Sequence, residues 1–263
     1  MKIDSSCTAL VTGANGGIGQ AIARALHAVG ARLVLTGRRA DALAPIASET
    51  GARVVVADLA RREDVGRLAD EAGDVDVLVA NAALPASGPL LDFSDDDVDR
   101  AIEVNLRAPI ALTRSVAPGM LARGRGQIVL VSSIAGKVAS PGSALYSATK
   151  FGLRGFALGL RQDLAGTGVG VTGIYPGFIR DAGMFADSGV KLPPFLGTRS
   201  PEDVAAAVVR AVRHDLTEID VASFEQRLGG LLEAVSPALL NAIQRRGGRE
   251  LARSVSAGQR HKR

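Results

Sequence analysis

The chain has 263 residues, nearly half of them apolar, with 31 basic against 27 acidic residues and one cysteine, Cys7. That length suits one large α/β domain or two small ones and gives ample material for a buried core. A lone cysteine excludes an intrachain disulfide and a cysteine metal cluster, and no 18-residue apolar run is present to cross a membrane.

The net charge of +4 is unevenly placed: residues 245–263 carry seven basic residues against Glu250, and the rest of the chain carries 24 basic and 26 acidic groups. A basic end of this kind is either a solvated terminus or a weak contact for an anionic membrane surface; nucleic acid is not expected as a partner. The first residues, Met1 to Cys7, include an acid and lack a long apolar run, so no signal peptide is expected and a cytoplasmic setting is the default. His27, His214 and His261 match no ligand spacing, so no metal is expected.

In chain order, short runs rich in Val, Leu and Ile fall at Thr8–Val11, Arg32–Thr36, Arg53–Val56, Val75–Ala80, Gln127–Val131, Val169–Tyr175 and Glu218–Val221. Several are apolar at nearly every position, as parallel strands covered on both faces must be. Helical patterns lie between them at about 18–29, 40–49, 61–72, 94–122, 143–165 and 201–214. This alternation predicts an α/β fold: one Rossmann-type doubly wound domain over residues 1–223, with a mostly parallel seven-stranded sheet and helices on both faces. Residues 177–200 hold two adjacent prolines and Phe178, Met184, Phe185 and Phe195, which reads as a substrate lid or a packed surface loop. Residues 224–263 are expected to form a helical extension with the basic tail. The Leu- and Ala-rich stretch 224–243 followed by Arg245 and Arg246 suits an interfacial amphipathic helix, a packed terminal helix or a subunit contact.

Three groups of residues carry chemistry. The first strand runs into Thr12-Gly13-Ala14-Asn15-Gly16-Gly17-Ile18-Gly19 and then a helix. Glycines there let the backbone turn tightly and approach a pyrophosphate, which meets the helix N-terminus. At the end of the second strand, where many NAD-binding sheets place an acid, stand Gly37, Arg38 and Arg39. Guanidinium groups can clamp a 2′-phosphate that an acid would repel, so NADP(H) is expected and NAD(H) is the alternative. Finally, Tyr146 and Lys150 are four residues apart at the start of a predicted helix, on one face. A cation beside a phenol favours the phenolate, so the pair can exchange a proton with a carbonyl or hydroxyl group.

These residues together resemble the classical short-chain dehydrogenase/reductase family, and the resemblance spans about residues 5–222. Asp58-Leu59 resembles the family's adenine contact, Asn81-Ala82-Ala83 its Asn-Asn-Ala-Gly, and Pro176-Gly177, with Ile179, its nicotinamide-side loop. Asn105 resembles the helix asparagine of the catalytic set, and Ser133, thirteen residues before Tyr146, its catalytic serine. The resemblance implies cofactor contacts from Thr12, Gly13, Asn15, Gly17, Ile18, Gly19, Arg38, Arg39, Asp58, Leu59, Asn81, Tyr146, Lys150, Pro176, Gly177 and Ile179. It further implies that Tyr146 is the proton donor or acceptor and that Ser133 holds the substrate oxygen, with Ser132 the alternative hydroxyl. Lys150 would lower the Tyr146 pKa, and Asn105 would position a water, or else merely satisfy backbone groups. Ala80 and Ala83 depart from the family pattern, as does Asp181, which stands where many relatives have a threonine that touches the carboxamide. The expected activity is interconversion of a secondary alcohol and a ketone on a small, lipophilic molecule, by a homodimer or homotetramer built on the helices around 94–122 and 143–165. The alternative is a regulatory protein that binds NADP(H) without turnover.

Overall fold

A computed structural model of the chain describes residues 1–186, 197–240 and 242. Seven strands, β1 (Thr8–Thr12), β2 (Arg32–Gly37), β3 (Arg53–Val56), β4 (Val77–Ala80), β5 (Gly126–Val131), β6 (Val169–Pro176) and β7 (Glu218–Val221), form one sheet in the order β3-β2-β1-β4-β5-β6-β7. Every pairing is parallel. The order reverses between β1 and β4, and that switch point opens the ligand crevice at the carboxyl ends of the strands.

Both faces of the sheet are covered, and the residues of β1 show how. Ala9 and Val11 point into a core shared with α1 (Gly17–Ala28), α2 (Ala40–Thr50) and α8 (Pro201–His214). Leu10, between them, points into the opposite core, shared with α3 (Arg62–Ala72), α5 (Ala108–Ala122) and α6 (Ala144–Asp163). A strand alternates its side chains, so a run that is apolar at every position must be buried on both sides.

The structure corrects the single helix expected over 94–122. It is α4 (Asp95–Ile102), a π-helical turn at Glu103–Arg107, and then α5. α4 starts at a capping box in which Ser94 and Asp97 bond each other's backbone N–H. The π turn holds one residue more per turn than an α-helix, and such bulges mark functional places; Asn105 sits in it. The expected lid is described in part. Ile179 pairs with Arg199, and α7 (Gly183–Ala186) follows the turn at Asp181. Residues 187–196, including Phe195, lie outside the described residues, as does the basic tail from residue 243. Beyond β7 the chain forms α9 (Phe224–Val235).

Candidate active site

The glycine-rich turn has a shape that side chains would forbid. Gly13 has φ +64°, and a Cβ built on it would lie 2.9 Å from Ala82 Cα. A Cβ on Gly19 would overlap the carbonyl oxygen of Gly13. The turn is held from behind by β4. The buried Thr12 Oγ1 accepts the N–H groups of Asn81 and Ala82, both at 3.0 Å, while Asn81 Nδ2 donates to Thr12 O at 3.0 Å. Thr12 and Asn81 thus lock the two strands at the switch point. Helix α1 begins just beyond, with neither a side-chain cap nor an acid in its first turn. Its N-terminal end is left to an anion.

A cavity of about 630 Å³ opens over this turn. Gly13, Asn15, Gly17, Ile18 and Gly19 line it on one side, Asp58, Leu59 and Asn81 on another, and Arg38 and Arg39 at its rim. Asp58 Oδ1 accepts the Ala60 N–H at 3.1 Å, which orients its carboxylate within the turn after β3. Both arginines are exposed, and neither belongs to an ion pair among the described residues. The volume, the glycine cradle, the uncapped helix end and two uncommitted guanidinium groups fit a phosphorylated dinucleotide. Arg100 on α4 also lines the cavity and was not foreseen. In the sequence it is one cation in an acid-rich helical stretch, with nothing to separate it from a surface arginine.

A smaller cavity of about 90 Å³ shares Ile18 and Asn81 with the first and brings together Ser133, Tyr146, Lys150, Pro176, Gly177 and Ile179. Ser133 follows β5 and caps a short 3-10 turn, accepting the Ala135 N–H at 3.1 Å and donating to Pro176 O at 3.4 Å. Its hydroxyl also lies near enough to the Tyr146 phenol to favour the ionised form. Ser132 is turned away, donating to the Lys150 carbonyl at 3.1 Å. It ties the turn to α6, and Ser133 is the hydroxyl that meets the tyrosine.

Lys150 is 1 % exposed, and its Nζ reaches Val131 O at 3.3 Å and lies 5.5 Å from the centre of the Tyr146 ring. Burial without a carboxylate brings the ammonium down to about 8. The tyrosine departs from expectation. Burial pushes its phenol up to about 12, and the Ser133 hydroxyl only partly offsets that. Desolvation is the larger of the two effects, so the phenol stands above its ordinary value. At neutral pH the phenol therefore keeps its proton.

Asn105 is fully buried, and its side chain is spent on backbone. Its Oδ1 accepts the Leu84 N–H at 2.7 Å and its Nδ2 donates to Leu84 O at 2.9 Å. It anchors the loop after β4 to the π turn. Asp181 does not line either cavity. It takes a left-handed turn at φ +66°, which turns its side chain outward, 73 % exposed, onto Arg180 at 3.3 Å.

Residues 7–191 match the family model of the short chain dehydrogenases. The chain belongs to that family. It is 38 % identical over 221 residues to a nodulation protein G of a Rhizobium species, spanning 82 % of this chain and 86 % of the relative. It is 34 % identical over 223 residues to the ketoacyl reductase HetN of a Nostoc species, spanning 81 % and 78 %. Among solved structures it resembles a metagenomic short-chain oxidoreductase in complex with NADP, with a TM-score of 0.70, 33 % identity and coverage of 83 % of this chain and 97 % of that one.

Proposed function

We propose that this short-chain dehydrogenase is an NADP(H)-dependent oxidoreductase that interconverts a secondary alcohol and a ketone, with a lipophilic substrate. The observation that carries the reading is the meeting of Ser133, Tyr146 and Lys150 in a pocket that opens beside the glycine-lined cavity. The NADP-bound neighbour and the ketoacyl reductase relative support it. Arg38 and Arg39 would hold the 2′-phosphate, and NAD(H) is the alternative cofactor.

A bound nicotinamide supplies the hydride to the carbonyl carbon, or takes it from the alcohol. The protein's part is the proton and the charge on oxygen. Ser133 Oγ donates to the carbonyl oxygen and stabilises the negative charge that develops there. Tyr146 gives its hydroxyl proton to that oxygen, completing the alcohol. A phenol held up at about 12 is in the donating form throughout the neutral range, which suits reduction. The Lys150 ammonium attracts the phenolate left behind and disperses its charge. Asn105 acts at one remove, by fixing the loop through Leu84.

The test is Tyr146→Phe, assayed with NADPH and a panel of ketones. Turnover is expected to fall by about three orders of magnitude or more, while NADPH binding, read by fluorescence titration, stays within a few-fold. Unchanged turnover in the variant would remove Tyr146 from the mechanism.

A further inference from the structure

Helix α9 is built inside out. Four of its residues, Phe224, Leu228, Leu231 and Val235, recur every three or four positions and so form one narrow stripe. That stripe faces solvent: the four are 72, 43, 67 and 85 % exposed. Apart from the half-buried Leu232, the face toward the body is polar or bare. Gln226 Oε1 accepts the Ser223 N–H at 3.1 Å and crowds Gly177, while Glu233 has an oxygen buried without a hydrogen-bond partner. A Cβ on Gly229 would stand 3.8 Å from Val138, and one on Gly230 3.6 Å from the Lys137 side chain. A helix that packs on its own protein turns its apolar stripe inward. This one does the reverse, so the stripe is built for something outside the body.

We propose that α9 is a membrane-surface anchor that lays its apolar stripe on an anionic lipid headgroup layer, assisted by the basic segment that follows it. Charge selects this occupant. Residues 245–263 carry seven basic residues against one acid, in a chain that is otherwise slightly acidic. An anionic leaflet is complementary to that charge, whereas a second copy carries the same sign. Area points the same way. Four side chains of this exposure offer roughly 400 Å² of apolar surface, about half of what a stable pairing needs from each partner. The sequence beyond Ala242 is poor in large apolar residues, holding Ile243, Leu251 and Val255 among mostly basic and small ones. An apolar stripe combined with adjacent basic charge is the pairing of signals that gives reversible surface attachment.

This proposal rests on α9 and on the charge after it, not on the oxidoreductase reading, and its test reads no turnover. The full chain is centrifuged with vesicles of pure phosphatidylcholine and with vesicles of equal parts phosphatidylcholine and phosphatidylglycerol. Binding to the anionic vesicles is expected to be at least tenfold tighter. It should fall about tenfold in roughly 0.5 M salt and about tenfold in the Leu228→Ser/Leu231→Ser double variant. Both substituted residues are exposed, so the melting temperature should not change, and that control separates lost binding from lost fold. Failure to bind anionic vesicles would overturn the proposal. So would undiminished binding by the double variant, which would leave the basic segment alone responsible. An oligomer that the double variant dissociates, without vesicle binding by the parent, would assign the stripe to a second copy.

Discussion

At the residue scale, Lys150 is an amine held where it costs stability. Its amine is buried against a single carbonyl oxygen and titrates at about 8, against 10.5 in the free side chain. Below pH 8 the folded protein holds a charge it poorly solvates. Between 8 and 10.5 the unfolded chain binds the proton and the folded one does not, so stability rises with pH across that window. Lys150→Met is therefore expected to stabilise the cofactor-free protein at pH 7, by up to about 3 kcal/mol, and to abolish the rise above pH 8; urea titrations at several pH values read both. Thr12 is the opposite case. Its hydroxyl satisfies two backbone amides that no other side chain reaches among the described residues. Thr12→Val leaves both unpaired, with an expected loss of about 2 kcal/mol and weaker cofactor binding as the glycine turn loosens. Tyr146, Lys150 and Ser133 were legible as letters at set distances along the chain. Their pKa values were not, because those follow from burial, which depends on what the rest of the fold packs around them.

At the scale of elements, Ser133, Tyr146 and Lys150 arrive on a turn and a helix that are joined to the sheet by charge. Lys137, at the end of the Ser133 turn, reaches Glu218 at 3.0 Å and Asp220 at 2.7 Å on β7. Arg154, one helical turn beyond Lys150 on α6, reaches Glu218 at 2.8 Å. Burial would raise the Glu218 carboxyl, but the hydrogen bonds from Arg154 and Lys137 outweigh it and hold it at about 2. A depressed carboxyl adds stability that is present above its free value near 4.5 and lost as pH falls toward 2. Glu218→Gln is expected to destabilise by about 1–3 kcal/mol at pH 7 and to flatten the acid limb of the stability curve, measured by thermal melts. No sequence pattern announces this cluster, since its members lie on three elements far apart in the chain. The π turn was likewise hidden. Its apolar spacing continues that of its neighbours, and only the pull of Leu84 on Asn105 marks it.

At the scale of the whole molecule, the crevice exists because β1 and β4 lie side by side while their following loops diverge. Ligand binding should therefore stabilise the entire sheet. At about a hundredfold excess over its Kd, a cofactor adds about 2.7 kcal/mol, or roughly 5–10 °C in melting temperature for a domain of this size. NADPH is expected to raise the melting temperature more than NADH, and Arg38→Asp to reverse that order, as differential scanning fluorimetry would report. Among the described residues, no helix is long and apolar enough to cross a membrane. The expected homodimer or homotetramer, built on the helices around 94–122 and 143–165, is a proposal that sedimentation would test.

The alternation of apolar runs and amphipathic stretches was enough by itself to determine a doubly wound parallel sheet, because a strand covered on both faces and a helix covered on one leave different periods in the chain. The glycine turn and the Tyr146–Lys150 spacing were readable for the same reason: each acts over one turn of backbone. Tertiary structure alone decided that Ser133 and not Ser132 faces the tyrosine, that Asp181 points to solvent and that α9 carries its apolar side outward. Those outcomes depend on which surfaces meet across long stretches of sequence, and a periodic pattern says that a face is apolar without saying what it will touch.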